Sequence, residues 1–300
     1  MSEERRAIAL GFFDGIHIGH KTLIDMAIKR AKELDCVPTV VSFDTHPDNM
    51  VKKEKVALIN NPYDRADIVS RIMGVDDMIY LHFDDELRHM PWDKFVEWLV
   101  KDFGAVHLIA GYDFRFGYMG AGNVDKLREK CKELGVGCDI MEQVTIDGVT
   151  VSSTIIRKFI AEGEMEKANE FLGHPHTMTD RVRYGYRFGR KMGVPTVNMK
   201  FDEGILIPAH GVYATKTYLE NGDEYMSITN IGIRPTVSGD NEVSAETHIF
   251  GYSGNLYGKR VRIDFYKFLR PEKKFENTDI LKAQILQNIE ETKEYFANMK

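Results

Sequence analysis

The sequence predicts an α/β domain followed by a smaller all-β domain, and three observations support this. Over the first half, short apolar runs alternate with helical patterns. These runs are apolar throughout, which is typical of a parallel sheet covered by helices on both faces. After Gly173 the pattern changes to short strands of alternating polarity separated by turns, as in an antiparallel sheet or small barrel. The length of 300 residues favours two domains, with a boundary between Leu172 and Thr179 that separates residues 1–173 from 174–300.

Four strands and four helices are predicted in the first domain. The strands run over Ile8 to Phe13, Val37 to Phe43, Met78 to Leu81 and Val106 to Ala110. The helices lie near Lys21 to Leu34, Tyr63 to Met73, Pro91 to Phe103 and Asn123 to Leu134. Their alternation predicts a doubly wound, Rossmann-like parallel sheet of the kind that binds nucleotides.

The second domain is predicted to be a small antiparallel β-barrel with a terminal helix. The dipeptide Asn221-Gly222 is a hairpin signal between strands at Val212 to Leu219 and Glu224 to Ile231. The last segment, Asp279 to Met299, has apolar residues at roughly helical spacing, as expected of a helix that packs one face on the barrel.

Composition excludes several classes of protein. Hydrophobic residues make up 43% and charged residues 29%, as in ordinary globular proteins. The net charge of -6 argues against broad nucleic-acid binding. The three cysteines, Cys36, Cys131 and Cys138, form no C-x-x-C pair, so neither structural zinc nor a secreted disulfide scaffold is expected. No run approaches the ~20 apolar residues of a membrane span, and Met1 to Arg6 has no signal-peptide character, so we expect a cytoplasmic protein. The sequence does not specify an oligomeric state.

A glycine-rich segment after the first strand is the first candidate phosphate site. It reads Gly11-Phe12-Phe13-Asp14-Gly15-Ile16-His17-Ile18-Gly19-His20. Glycines let the backbone approach a ligand, and the following helix offers unpaired N–H groups. Two imidazoles three residues apart can share one helical face and hydrogen-bond the oxygens of a triphosphate. The catalytic candidates are therefore His17 and His20, and the phosphate-binding candidates are Gly11, Phe13, Gly15 and Gly19.

The short pattern His-x-Gly-His is also the adenylate-forming motif of class I aminoacyl-tRNA synthetases. A chain of this length without a K-M-S-K-S loop or a basic surface is a poor synthetase.

A second glycine-rich segment, from Gly185 to Asn198, ends in Pro-Thr-x-Asn. Side chains two residues apart on an extended segment point the same way, so Thr196 and Asn198 can both reach one hard cation. Magnesium bound with nucleotide phosphates is the expected guest, although an ordinary turn explains the tetrapeptide alone equally well. The phosphate-binding candidates of this segment are Gly185, Arg190, Gly193, Thr196 and Asn198.

These motifs together resemble those of the bacterial bifunctional riboflavin kinase/FAD synthetase family. The segment from Gly11 to His20 resembles its opening motif, and the other matches follow in order. They are Phe43 with His46-Pro47, Gly111 to Gly117, Ser152 to Arg157, Gly193 to Asn198, Asn230 to Thr236, Ala245 to Ile249, Leu256 to Gly258 and Phe268 to Phe275. The resemblance extends from about Ile8 to Phe296.

The resemblance implies roles for further residues. Ser152, Ser153, Thr154 and Arg157 would hold ATP phosphates, with Arg157 on the leaving pyrophosphate. Asp113, Phe114 and Phe116 would bind flavin in the first domain, and Arg270 and Phe275 in the second. Glu246 would be the base that accepts the proton of the attacking hydroxyl. Alternative interpretations are core packing for the two phenylalanines and helix capping for Ser152 to Thr154.

The implied function is flavin cofactor biosynthesis. ATP, with Mg²⁺, would phosphorylate riboflavin to FMN, and a second ATP would adenylylate FMN to FAD with release of pyrophosphate. Some positions depart from the commonest family pattern: Thr45, Tyr118, Met119, Asp180 and Asn288. The last two look structural. Two other hypotheses remain open, namely an enzyme with only one of the two activities and a flavin-sensing binding protein without turnover.

Overall fold

The structure is a computed structural model, and it describes residues 4–45, 49, 55–185, 189, 193–235 and 241–299. The chain divides into two compact units, Met1–Ser153 and Thr154–Lys300. In the described ranges, no helix is both long and apolar enough to cross a membrane.

The first unit contains a five-stranded parallel sheet with the order β3-β2-β1-β4-β5. Its strands are β1 Arg6–Leu10, β2 Val37–Phe43, β3 Asp77–Leu81, β4 Ala105–Gly111 and β5 Gly137–Met141. A short hairpin of β6 Thr145–Ile146 and β7 Val149–Thr150 follows. The predicted doubly wound sheet is confirmed. The prediction omitted β5, an edge strand that begins at a glycine and carries the charged Asp139 at its centre.

Five helices accompany this sheet in the described part of the unit. They are α1 Ile18–Leu34, α2 Pro62–Ile68, α3 Asp85–His89, α4 Trp92–Asp102 and α5 Val124–Leu134. Side chains cap several of their first turns: Asn61, Asp84 and Asn123 each accept a hydrogen bond from a backbone N–H in the following turn. The helix α2 continues as a π-helical turn, Val69–Met73, so the predicted span at this place joins two different elements.

Apolar side chains cover both faces of the sheet. Alternate residues of β1 belong to different clusters: Ala7 and Ala9 pack with α1, whereas Ile8 and Leu10 pack with α4 and α5. Because strand side chains alternate between faces, a strand buried on both sides must be apolar at every position. This explains the continuous apolar runs of the sequence.

Two helices precede the second sheet: α6 Ser153–Glu162, of which only Ser153 belongs to the first unit, and α7 Met165–Leu172. The second unit continues as a six-stranded antiparallel sheet of order β8-β13-β10-β11-β12-β9. The strands are β8 His176–Arg181, β9 Val197–Lys200, β10 Gly211–Leu219, β11 Glu224–Pro235, β12 Asn241–Ile249 and β13 Arg260–Pro271, and helix α8 Thr278–Asn298 follows. The two edge strands approach each other through a bridge between Arg183 and Asn198, which nearly closes the barrel.

Helices α6 and α7 contact the barrel that follows them. Ala209 N donates to Ile160 O at 3.2 Å, and Asn169 Nδ2 donates to Phe265 O at 2.8 Å. The division between the two units therefore falls after Ser153, the first residue of α6, whereas the boundary predicted between Leu172 and Thr179 falls after α7. The predicted boundary remains a prediction.

Hydroxyl groups fill part of the barrel interior. Thr229 Oγ1 lies 2.9 Å from Thr215 Oγ1 and 2.8 Å from Thr247 Oγ1, and all three residues are almost completely buried. Ser227 joins Thr215 to Thr217 in the same network. Because every member has a partner, these buried hydroxyls fix the strand register without a desolvation penalty.

A buried histidine predicts how the second unit responds to acid. His176 is 2% exposed, and its Nδ1 has no hydrogen-bond partner among the described residues. Burial, with a smaller effect of His174, lowers the pKa of His176 from 6.5 to about 3. The unfolded chain therefore binds a proton that the folded chain does not, so the free energy of unfolding decreases as pH falls from 6.5 towards 3.

We expect His176→Leu to reduce this acid sensitivity. For each pH unit that the pH falls between 6.5 and 3, the free energy of unfolding of the wild type should decrease by up to ~1.4 kcal/mol through His176. The variant should not show this decrease. Differential scanning calorimetry at about pH 7 and about pH 5 measures the difference, with His89→Gln, a change at an exposed histidine, as control. Equal pH dependence of Tm in wild type and His176→Leu would contradict the assignment.

Candidate active sites

The loop after β1 has an unusual backbone. Phe13, Gly15 and Ile16 adopt φ values of 54°, 83° and 46°. The left-handed conformation is costly for phenylalanine and isoleucine, so the surrounding structure must hold the loop in place. The Phe13 side chain is completely buried, so this residue can offer a ligand only its backbone. Gly11 lies against the Phe13 ring, since a Cβ there would be 3.1 Å from it.

The two candidate histidines lie together at the N-terminus of α1. His17 is the N-cap residue, and its Nδ1 accepts a hydrogen bond from His20 N at 3.2 Å. The rings stack with centroids 3.5 Å apart and an interplanar angle of 14°. A Cβ at Gly19 would lie 3.1 Å from His17 Nδ1, so glycine permits this close approach. The sequence predicted that His17 and His20 share one face of the helix. In the structure, His17 instead precedes the helix and caps it.

His20 is neutral at neutral pH. Its Nδ1 is inaccessible and, within the described ranges, has no hydrogen-bond partner. Burial, then His17 and Arg65, lower the pKa of His20 well below its ordinary value. A neutral imidazole has one donor and one acceptor nitrogen. In this form His20 can donate a hydrogen bond to a phosphate oxygen.

Asp14 joins the loop to two other segments of the first unit. Its buried carboxylate accepts a hydrogen bond from Ile59 N at 2.9 Å, and its backbone oxygen accepts one from Ser153 Oγ at 2.9 Å. The candidate Ser153 is thereby attached to the loop that carries the histidines. Sequence analysis gave Asp14 no role, because a lone aspartate in a glycine-rich loop carries no signal of burial.

The remaining candidates of this motif lie at the division between the units. Ser152 is half-buried and immediately precedes α6. Thr154 is exposed in the first turn of α6, and Arg157 is half-buried one turn further along. Both belong to the second unit, so their roles in phosphate binding remain predictions.

The flavin candidates of the first unit differ in exposure. Phe114 and Phe116 stack with centroids 5.3 Å apart and an interplanar angle of 19°. Phe116 is 7% exposed and also packs near Phe95, so it is a core residue on which the ring of Phe114 stacks. Asp113 is exposed beside them. Only Phe114 of the stacked pair has a partly exposed ring, and a flavin role for the three residues remains a prediction.

In the second unit, strand register aligns three polar residues in one row. Glu246 on β12 lies opposite Asn198 on β9 and opposite Asn230 on β11. Directly opposed residues of antiparallel strands project from the same face. Thr196 immediately precedes β9 and lines the same cavity as Glu246. The structure therefore brings one predicted metal ligand, Asn198, opposite the predicted base, and the other, Thr196, to the cavity that Glu246 lines.

Close backbone approach accompanies the predicted metal ligands. A Cβ at Gly185 would lie 2.4 Å from Asn198 Nδ2, whereas one at Gly189 would lie 2.4 Å from Val194 O and make only ordinary contact with Thr196 Oγ1 at 3.5 Å. Hydroxyl and amide oxygens are ligands that suit Mg²⁺, so these residues fit the implied ion. Gly193 is in a turn with φ 78°. Arg190, like His46, lies outside the described residues.

A cavity of about 510 Å³ lies beside this row. Its apolar wall comes from barrel and helix residues, and its polar groups converge from several strands. Arg270 lies over the Phe275 ring at 5.4 Å from the centroid, and its Nε donates to Asn288 Oδ1 at 3.0 Å. Its lining includes Val212, Ile228, Glu246, Arg270, Phe275 and Asn288.

A second cavity of about 570 Å³ contains three tyrosines, Tyr184, Tyr252 and Tyr257. The rings of Tyr184 and Tyr257 stack with centroids 4.1 Å apart. Thr196 lines both this cavity and the first one. The two cavities therefore meet at one of the predicted metal ligands.

Sequence analysis missed several residues of these sites. His248 lines the first cavity, and its Nδ1 lies 2.8 Å from Pro195 O, beside Thr196. Its position two residues after Glu246 on one strand was the available signal. Asn288 is 1% exposed, lines the first cavity and accepts a hydrogen bond from Arg270 Nε. Asp180, which was interpreted as structural, accepts a hydrogen bond from Lys200 N at 3.0 Å.

The first unit has a parallel sheet with paired histidines at a helix N-terminus, and the barrel has two cavities that are both lined by Thr196. These features fit a two-unit transferase that acts on nucleotide phosphates. Residues 1–155 match the FAD synthetase family model, and residues 172–296 match the riboflavin kinase model. The chain belongs to the family of bifunctional riboflavin kinase/FMN adenylyltransferases. The predicted function, an enzyme of flavin cofactor biosynthesis with these two activities, is confirmed.

Similar proteins cover almost the whole chain. The bifunctional riboflavin kinase/FMN adenylyltransferase of Listeria monocytogenes is 33% identical and covers 98% of this chain and 94% of its own length. The enzyme of the same name from Haemophilus influenzae is 32% identical, with 97% and 94% covered. A crystal structure described as a macrolide-efflux protein from Streptococcus pneumoniae has a TM-score of 0.86 and 27% identity, with 98% and 95% covered.

Proposed function

We propose that each unit performs one reaction at the site described above. The barrel transfers the γ-phosphoryl group of ATP to riboflavin, and the parallel-sheet unit transfers the adenylyl group of a second ATP to FMN. The observation that carries the barrel assignment is the position of Thr196, which lines both cavities. One cavity then holds the flavin and the other holds ATP, so the reacting atoms meet between them.

The chemistry of each cavity supports this assignment. The first cavity combines apolar walls with Arg270 and Phe275, which suits a flat flavin ring with polar edges. The second offers stacked tyrosines to an adenine base. Of the two cavities, Glu246 lines only the first. It therefore lies beside the flavin hydroxyl, where it can accept the proton, and not beside the adenine ring.

In the phosphoryl transfer, the 5'-hydroxyl oxygen of riboflavin bonds to the γ-phosphorus while the bond to the β–γ bridging oxygen breaks. Glu246 accepts the hydroxyl proton, and ADP leaves. Thr196 and Asn198 would hold Mg²⁺, which supplies charge neutralisation of the phosphates when bound. His248 fixes the Pro195 carbonyl and thereby orients the segment that carries Thr196.

In the adenylyl transfer, a phosphate oxygen of FMN bonds to the α-phosphorus of ATP, and pyrophosphate leaves as the bond to the α–β bridging oxygen breaks. His17 and His20 hydrogen-bond the phosphate oxygens as charge develops on them, and backbone groups of residues 11–19 position the triphosphate. Positioning and electrostatics are sufficient for this step, without a covalent enzyme intermediate.

Product separation after incubation of the protein with riboflavin and MgATP tests the proposal. Accumulation of FMN followed by FAD supports two active units. FMN alone would indicate an enzyme with one activity, and tight flavin binding without either product would indicate a flavin sensor. A cytoplasmic location remains a prediction from the sequence.

Asn288→Leu should weaken riboflavin binding more than it slows chemistry. The variant removes the acceptor that holds Arg270 Nε against the flavin cavity, and loss of such a hydrogen bond costs ~1 kcal/mol, or about a fivefold increase in KM for riboflavin. The KM for riboflavin is measured from the kinetics of FMN formation at saturating ATP. Gln287→Leu, on the exposed face of the same helix, is the control. An unchanged KM would contradict the positioning role.

A further inference from the structure

Arg65 is a completely buried arginine next to the loop that carries the paired histidines. It lies on α2 and is 0% exposed. Its Nη1 donates to Phe12 O at 2.8 Å and to Ser42 Oγ at 2.9 Å, and its Nη2 donates to Phe43 O at 2.9 Å. It therefore joins the chain after β1 to the end of β2, and all three acceptors are neutral.

Within the part of the chain that the structure describes, no carboxylate forms an ion pair with this guanidinium, and its Nε has no hydrogen-bond partner. Two carboxylates face it from neighbouring segments. Asp14 accepts hydrogen bonds from Ile59 N and Asn60 N, and Asp44 Oδ2 lies 2.6 Å from His82 Nδ1. Burial lowers the pKa of Arg65 more than these carboxylates and Tyr80 raise it.

A buried charge without a partner is costly, because little water is available to solvate it. The rings of Phe12 and Tyr80 enclose the guanidinium at 4.9 Å and 5.0 Å from their centroids, which offsets only part of this cost. A guanidinium does not lose its proton in proteins. The first unit thus retains a positive charge that the described residues do not neutralise by direct pairing.

The position of this charge connects it to the phosphate site. It holds the carbonyl of Phe12, which precedes the left-handed turn at Phe13. In a water-poor interior, a charge acts over longer distances than it does at the surface. An anion bound by the loop at residues 11–20 would therefore interact favourably with Arg65 without touching it.

We propose that Arg65 is a positioning residue of the adenylyl-transfer site, whose unpaired buried charge is compensated when the polyphosphate of ATP, or the pyrophosphate product, occupies the loop at residues 11–20. This inference rests on the proposed location of adenylyl transfer at His17 and His20. It assigns to Arg65 an electrostatic role in polyphosphate affinity in addition to its role in holding the loop.

The test measures FAD formation from supplied FMN in wild type, Arg65→Gln and Arg65→Lys. Gln removes the charge but can keep a hydrogen bond to the Phe12 carbonyl, and Lys keeps the charge. We expect Arg65→Gln to raise both the KM for ATP and the inhibition constant of inorganic pyrophosphate by about tenfold. Arg65→Lys should keep both within about threefold of wild type, and FMN formation by the barrel should not change.

Affinity constants separate this role from a purely structural one, because a smaller folded fraction lowers the rate without changing KM or the inhibition constant. Lys130→Gln is the matched control. Lys130 is another buried cation of the first unit, but it is paired with Glu97 at 2.9 Å and Glu133 at 2.7 Å. Its replacement should reduce stability and leave both constants unchanged.

An unchanged KM for ATP and an unchanged inhibition constant of pyrophosphate in Arg65→Gln would overturn the proposal. Equal increases in Arg65→Gln and Arg65→Lys would also overturn it, because the effect would then come from hydrogen-bond geometry and not from charge. If Arg65→Gln does not fold, the same comparison is made with Arg65→Met. Should neither neutral variant fold, a tenfold increase in Arg65→Lys would also contradict the role of the charge. Failure of the proposed function would give a different result. If adenylyl transfer does not take place at His17 and His20, His20→Ala should form FAD normally.

Discussion

His20→Ala is expected to abolish most FAD formation while riboflavin is still converted to FMN. His20 lies at the N-terminus of α1 with its ring stacked on His17, where it can donate a hydrogen bond to the phosphate oxygens that gain charge during adenylyl transfer. Loss of one such donor costs ~10²–10³ in kcat. Chromatographic separation of FMN and FAD after incubation with riboflavin and MgATP measures the effect.

An exposed histidine of the same unit provides the control. The His82 side chain is 74% exposed, and His82→Ala should leave both products at wild-type levels. Near-normal FAD formation by folded His20→Ala would exclude His20 from the chemistry and would move the adenylyl site away from the loop after β1.

Glu246→Gln should have the opposite effect on the two products. The change preserves the shape of the side chain but removes the carboxylate that accepts the hydroxyl proton, and general-base contributions are typically ~10²–10⁴-fold. FMN formation from riboflavin should fall by this factor, whereas supplied FMN should still be converted to FAD. Initial rates with each flavin substrate measure the two steps separately.

Glu224→Gln is the matched control, because Glu224 lies on the neighbouring strand β11 and is ion-paired with Lys216 away from the cavities. It should support both reactions. If Glu246→Gln phosphorylated riboflavin at the wild-type rate, a different group would have to accept the proton.

The sequence predicted the two architectures because each has a strong local signal. Strands buried on both faces are apolar at every position, as in β1, where Ala7 and Ile8 enter different clusters. The hairpin at Asn221-Gly222 has a turn residue, Gly222, with φ 89°. The edge strand β5 lacks such a signal, since Asp139 at its centre pairs with Arg30 and His107 from other elements.

In the candidate sites, too, only the features with a local sequence signal could be predicted. Spacing along an extended segment suggested that Thr196 and Asn198 point the same way, because the period of a strand is fixed. The pairing of Asn198 with Glu246 depends on the register between β9 and β12, which the sequence does not specify. The ring stacking of His17 and His20 depends on a helix cap whose geometry the sequence only suggested. Arg65 could not be singled out, because an arginine on a helix is ordinarily exposed and its burial follows from long-range packing.

The central claim is that two independent sites, one in each unit, act in succession through free FMN. The most direct test mixes purified His20→Ala with Glu246→Gln and supplies riboflavin and MgATP. Neither variant alone should convert riboflavin to FAD, whereas the mixture should do so, since FMN released by the first variant is the substrate of the second. A mixture of folded variants that makes no FAD, or one substitution that abolishes both steps, would contradict the account.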